Sequence, residues 1–479
     1  MTVPFVLDRA AGTPLHRQIY DRWRTGILGG RFRRGERVPS TRAFADTYGV
    51  SRVTVTAAYD QLLAEGYFEA RAGSGTFVSQ ELPDEALRPM RVARSAPKPA
   101  RRIRLSAYAS RLDRIRQLPP SSHTLNLSNV SPDLSRFPFP LWRRLISRHL
   151  KQARPGIFDH RADPTGHPGL REAIVAYLGR ARAVRCDPDQ VIVVNGSQQA
   201  LDLCARMLLD PGDEAAVEEP GYPGARQLFL AHGAALRTLP VTDSGVSIEG
   251  LSPQTRLVHM TPSHQFPTGV SMSLARRLEW IEWARTNGAV VLEDDYDSEY
   301  RYSGPPLPAM HSLADEGGTS IIYIGTFSNV MFRGLRVGYL VVPRDLVEPF
   351  RVAKWMADRH TPLVEQAALA DFLREGHFER HIRRMRRLYK HRRDALLDAL
   401  DRHFGRHVSV RGDAAGLHMT VRFAGAGDLK ARADRSGVGL SSSAIYYLSK
   451  PVRHEFILGF SAESERTLRE GIRRIATLV

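Results

Sequence analysis

The stretch Ile321–Leu340 constrains the fold of this chain more than any other. Ile321–Ile324 is a short apolar run that reads as a buried strand, and it breaks into a small-residue loop, Gly325-Thr326-Phe327-Ser328. A second apolar run, Val337–Val342, follows closely. Such a loop offers hydroxyls and free backbone N–H groups to an anion, and Arg336 adds a charge-assisted donor. The same pattern recurs upstream. Gln190–Val194 leads into Asn195-Gly196-Ser197-Gln198-Gln199, which opens a helix running to Leu209. Ala215–Glu218 leads into Glu219–Gly224, Leu257–Met260 into Thr261–Gly269, and Ala289–Leu292 into Glu293–Glu299. Strands that end in polar loops, with helices between them, predict a doubly wound α/β sheet with its site at the strand carboxyl ends. Taken singly, the Asn195–Gln199 loop is an ordinary strand-to-helix cap, and the acidic Glu293–Glu299 cluster is a cation site or a solvated turn.

The first eighty residues follow a different period. Leu15, Ile19, Trp23, Ile27 and Leu28 fall at helical spacing and stop at Gly29-Gly30. Ser40 caps a helix carrying Phe44, Ala45 and Tyr48 that stops at Gly49. Ser51 caps a third, with Val55, Ala58, Tyr59, Leu62 and Leu63 on one face. Tyr67–Arg71 and Thr76–Val78 read as strands joined through Gly73. Three helices and a hairpin make a winged helix-turn-helix, mostly α with a β wing. The third helix presents Ser51, Arg52, Thr54 and Thr56 opposite its apolar face, residue types suited to phosphates and base edges. Arg42 sits where the preceding helix reaches a backbone, and the wing tip Arg71–Ser74, with Gly73, suits a minor groove. The plainer alternative is a protein-interaction domain with a solvated arginine face.

At 479 residues the chain is too long for one core, so several domains are expected: 11–79, a linker over 80–122, and 123–479. The linker mixes Arg88, Arg91, Arg94, Lys98, Arg101 and Arg102 with Pro89, Pro97 and Pro99, as a solvated spacer or as added phosphate affinity, with a short helix over Ser106–Leu118. Lys and Arg total 68 against 51 Asp and Glu, a net +17, which favours a polyanionic partner. The two cysteines supply neither a disulfide framework nor a zinc cluster, no metal site is expected, and a reducing cytoplasm fits. Met1–Leu15 has no signal pattern, and no run approaches the ~18 apolar residues of a membrane span.

Two resemblances sharpen this reading. Gly35-x-x-Val38-Pro39-Ser40-x-Arg42, Val50-Ser51-Arg52-x-Thr54-Val55, Leu62-x-x-Glu65-Gly66-Tyr67 and Gly73–Val78 closely resemble the GntR family of bacterial regulators. That resemblance implies binding to a double-stranded DNA operator, with contacts from Arg42, Arg52, Thr54 and Gly73. Thr261–Gly269, Glu293–Glu299 and Gly325–Tyr339 resemble the fold-type-I aminotransferases, and more closely the aminotransferase-like domain of the MocR subgroup of GntR regulators. The resemblance implies a homodimer, a small-molecule effector and a pyridoxal 5'-phosphate (PLP) pocket. Gly196, Ser197, Gln198, Thr326, Ser328 and Arg336 would hold the phosphate. Tyr222 would stack on the ring, Asp294 would meet its nitrogen and Tyr296 its hydroxyl. Three positions depart from the pattern. Asn329 stands where the Schiff-base lysine is expected, as a natural or an engineered change. Arg333 stands where the subgroup has Pro. Ile457 falls at the place of the arginine that holds the substrate carboxylate. An amide forms no imine, so the expectation is a regulator that holds PLP, or a related pyridoxal adduct, without a covalent bond, and no catalytic residue is assigned. The rivals are a working transaminase, against which Asn329 counts, and a regulator whose large domain has abandoned PLP and serves as a dimer scaffold.

Overall fold

The computed structural model describes residues 6–83, 103–112 and 125–479, apart from 153–154, 160, 305–306, 315–320 and 426. The chain divides into two compact units, Met1–Ile103 and Arg104–Val479.

The first unit holds α1 (Leu15–Leu28), α2 (Thr41–Tyr48), α3 (Arg52–Ala64), β1 (Phe68–Arg71) and β2 (Gly75–Val78). The caps lie where hydroxyls and glycine dictate. Ser40 Oγ accepts from the Ala43 N–H at 3.1 Å and Ser51 Oγ from the Thr54 N–H at 3.2 Å. Gly49 ends α2 in the left-handed region at φ 62°. β1 and β2 pair antiparallel from Phe68↔Val78 to Arg71↔Gly75, giving the expected wing. The core gathers on Trp23, whose ring lies 4.2 Å from Phe32 and 5.3 Å from Phe68. Emptying that site by Trp23→Ala would cost ~3–5 kcal/mol.

The second unit is built on an eight-stranded sheet in the order Val191–Val194, Gly338–Val341, Ile321–Thr326, Val290–Asp295, Thr255–Met260, Glu214–Glu219, Ala235–Thr242, Gly245–Val246. Alternate residues serve separate cores. Ile192, Val194, Ile322, Ile324 and Leu340 join one cluster, while Val191, Val193, Tyr323, Tyr339 and Val341 join another. Burial on both faces explains why these strands read as unbroken apolar runs. The expected doubly wound sheet is modified at two strands: the edge strand Gly245–Val246 pairs antiparallel with Ala235–Thr242, and Gly338–Val341 runs antiparallel to both neighbours. Residues 327–337 hold only the short turn Arg333–Leu335, too little chain for a helical crossover, so the strand returns as a hairpin with Thr326↔Gly338 in register. A second, four-stranded antiparallel sheet (Val408–Arg411, His418–Phe423, Glu455–Gly459, Ser441–Ser442) lies with the long helix His377–Phe404 and the helix Glu465–Ala476.

Most of the Pro- and Arg-rich stretch lies outside the described residues. Its described part forms the helix Ala107–Leu112, within the expected Ser106–Leu118 span. That helix packs on Pro223–His232: Arg111 Nε donates to the Ala231 carbonyl at 2.8 Å, and the Tyr108 ring lies 5.2 Å from His232. The helix thus belongs to the second unit, Arg104–Val479.

Candidate ligand cavity and candidate nucleic-acid interface

The strand carboxyl ends converge on a cavity of about 1060 Å³. Ser197, Gln198, Tyr222, Asp294, Tyr296, Thr326, Ser328, Asn329 and Arg336 all line it. Gly196 lies just behind, as the residue capping the helix Ser197–Leu208. Its φ of 85° is in the left-handed region, and a Cβ there would come 2.8 Å from the Arg336 guanidinium. Only glycine lets that arginine close over the helix start. Arg336 then donates from Nη2 to the Asn195 carbonyl at 2.8 Å.

Behind this loop sits a partly buried brace. Asp358 accepts from Asn195 Nδ2 at 2.7 Å and Gln199 Nε2 at 2.8 Å, and it pairs with the fully buried Lys354 Nζ at 2.5 Å. Helix-start N–H groups, Arg336 and the Thr326 and Ser328 hydroxyls thus surround one end of the cavity, a setting for a phosphate. Ser328 Oγ is buried there without a partner.

At the other end, Asp294 is buried on the strand Val290–Asp295. Its Oδ2 lies 3.3 Å from His259 Nε2, while Oδ1 has no partner. A buried carboxylate oxygen left unpaired costs ~1–3 kcal/mol, so this geometry favours a ligand that brings a donor. The Tyr296 hydroxyl lies 3.1 Å from His264 Nδ1, and Asp297 Oδ1 lies 3.0 Å from the same nitrogen. Burial works against charge on His264, but Asp297 outweighs it and holds the imidazole above its ordinary value. His418 is pushed down to about 3 by burial and by His264 beside it. His264, Asp297 and His418 bring ligand-type atoms within 4.8 Å of one another, a cluster that the sequence did not reveal. Its atoms already serve each other and the backbone, since His418 Nε2 donates to the Pro267 carbonyl at 3.1 Å.

Asn329 donates from Nδ2 to the Tyr296 carbonyl at 3.0 Å, tying two lining segments of the cavity together. The residues present suit a pyridoxal phosphate: a phosphate cradle, an orphaned carboxylate oxygen for a ring nitrogen and a tyrosine at each flank. Ile457 is 2% exposed, pairs with Thr420 and Ser441 in the small sheet and takes no part in the lining. Arg226, Arg333, His418 and Tyr446 also line the cavity, although nothing in the sequence pattern marks them as ligand contacts.

In the first unit, Arg42, Ser51, Arg52 and Gly73 are exposed, and Thr54 and Thr56 are half-buried. The hydroxyls of Ser51 and Thr54 lie 2.9 Å apart and are partly committed to the helix cap. Arg71 is engaged on the hairpin, donating from Nε to Glu69 at 3.1 Å with its guanidinium 4.6 Å from the Phe77 ring centre. Val53, between Arg52 and Thr54, is 80% exposed, a large apolar side chain facing solvent at the start of α3.

Comparison with known proteins matches both units. The family "Aminotransferase class I and II" matches residues 125–448, and "Bacterial regulatory proteins, gntR family" matches residues 15–78. The probable rhizopine catabolism regulatory protein MocR of Rhizobium meliloti is 41% identical over 98% of this chain and 94% of its own length. The pyridoxine biosynthesis transcriptional regulator PdxR of Corynebacterium glutamicum is 30% identical over 100% of this chain and 98% of its own. Among solved structures, the kynurenine aminotransferase of Pyrococcus horikoshii superposes with a TM-score of 0.69 at 28% identity, covering 79% of this chain and 95% of that one. The chain belongs to the MocR-type regulators, in which a helix-turn-helix head of the bacterial gntR family is joined to a class I and II aminotransferase domain.

Proposed function

We propose that this regulator binds double-stranded DNA operators as a cytoplasmic homodimer and senses an amino compound through a pyridoxal-type ligand held without a covalent bond. Asn329 carries the reading. It occupies the turn after the strand Ile321–Thr326, faces the cavity and has no nucleophilic amine. In this reading Gly196, Ser197, Gln198, Thr326, Ser328 and Arg336 hold the phosphate. Tyr222 covers the ring, Asp294 Oδ1 takes its nitrogen and Tyr296 its hydroxyl. When bound, the group supplies an electrophilic carbon for a primary amine. The protein's part is to bind, orient and discriminate, and the head's part is to read DNA through α3 and the wing.

The test is the visible spectrum of purified protein with PLP. The native chain should bind PLP reversibly, and borohydride should leave no cofactor attached to it. Asn329→Lys should gain a lysine-linked visible band. A variant that stays colourless in excess PLP would mean that the pocket is lost and the domain is a scaffold. Reduction of native protein onto one specific lysine would overturn the non-covalent reading.

A further inference from the structure

Three guanidinium groups line the cavity, and their surroundings differ. Arg336 is taken by the phosphate end, bonded to the Asn195 carbonyl. Arg226 donates from Nη2 to the Ile445 carbonyl at 2.7 Å and feels the charge of Glu219, while its Nη1 is buried without a partner. Arg333 opens the turn Arg333–Leu335, four residues past Asn329, and stands at the edge of the cavity with only part of its side chain covered. It donates from Nη2 to the Val130 carbonyl at 3.2 Å. The groups that face it are the phenols of Tyr222 and Tyr446, and no carboxylate pairs with it among the described residues. Partial burial without a counter-ion holds the guanidinium below its ordinary value, so a negative partner would be gained at little desolvation cost.

The position is also informative. Asn329, Arg333 and Val130 line the same cavity, with Arg333 bonded to the Val130 carbonyl. The strand Glu455–Gly459 offers no cation there, since Ile457 is buried in the sheet. A planar guanidinium with free donors matches a carboxylate in bidentate geometry.

We propose that Arg333 is the specificity-determining residue for the effector and anchors a carboxylate, so that the compound sensed is an amino acid rather than a simple amine. The proposal rests on the pyridoxal reading of the same cavity. Two stable probes separate the two ideas: N-(5'-phosphopyridoxyl)-L-alanine, and N-(5'-phosphopyridoxyl)-ethylamine, which lacks only the carboxylate. Calorimetry on the full chain should show the alanine probe binding at least about tenfold tighter, the scale of one charge-assisted contact. Arg333→Ala should abolish that preference while leaving ethylamine-probe affinity within about twofold, and Arg333→Lys should restore part of it. A native chain without preference, an Arg333→Ala variant that keeps it, or equal weakening of both probes would overturn the proposal. Failure of both probes to bind the native chain would instead remove the pyridoxal reading, and this proposal with it.

Discussion

Glu299 shows how one side chain records its surroundings. It follows the cavity strand Val290–Asp295 but faces a second, smaller cavity of about 420 Å³. The Tyr177 hydroxyl donates to Oε1 at 2.9 Å, whereas Oε2 is buried without a partner. Burial, with Asp295 adding its charge, pushes the carboxyl up to about 7. The folded chain therefore holds a proton that the unfolded chain begins to release near the ordinary value of 4.5. For an acid shifted upward, the favourable contribution is complete below that value and is lost as pH rises through about 7. Glu299→Gln removes the titration. Its stability relative to the native chain should rise by roughly 2 kcal/mol between about pH 5 and about pH 8. Urea unfolding of both chains at the two pH values checks this, and a flat or opposite trend would show that Glu299 is ionised in the fold.

The recognition helix α3 shows what an element reveals before folding and what it conceals. Its start at Ser51, its apolar stripe and its place after Gly49 are all visible in the spacing, because caps and helical period are local properties. Val53 was not singled out, since a stripe through Val55, Ala58, Tyr59 and Leu62 leaves an apolar residue off the face unexplained. An exposed apolar side chain at that place would suit a thymine methyl. Arg52→Ala should weaken operator binding by ~1–3 kcal/mol, and Val53→Ala by about 1 kcal/mol with the loss confined to one A·T position. Competition gel shifts across single-base operator variants separate the two, and affinity unchanged by Arg52→Ala and by Arg42→Ala would remove α3 from the interface. The large unit was legible in the same way and no further. Strand ends pointed to Asp294, Tyr296, Thr326 and Ser328, because each lies within four residues of the end of an apolar run. The antiparallel course of Gly338–Val341 was hidden, since hydrophobicity carries no strand direction. His418 and Tyr446 were hidden as well. They reach the cavity from segments at and beside the small sheet, more than a hundred residues downstream of Tyr296, and only tertiary packing brings them there.

For the molecule as a whole, the proposed dimer decides how DNA is read. The resemblance to aminotransferases implies a cofactor site at a two-fold subunit interface, and a two-fold pair carries two helix-turn-helix heads. Two heads on one particle make the second DNA contact intramolecular. An operator with two half-sites should therefore bind ~10²–10⁴-fold tighter than a single half-site. The net charge of +17 adds a second signature. Each phosphate neutralised releases counter-ions and contributes about −0.9 to the slope of log affinity against log salt, so engaging both heads should about double the slope seen on one half-site. Light scattering at micromolar concentration should give twice the mass of one chain, and that mass plus one duplex when operator DNA is added. The salt-slope ratio shows whether both heads touch DNA at once. A dimer with equal slopes on the two DNAs would be a two-fold particle reading with one head, and the half-site preference would then have to come from DNA shape. A monomer with tight single-site binding would remove the two-fold interface altogether, and the cavity would have to be complete within one chain.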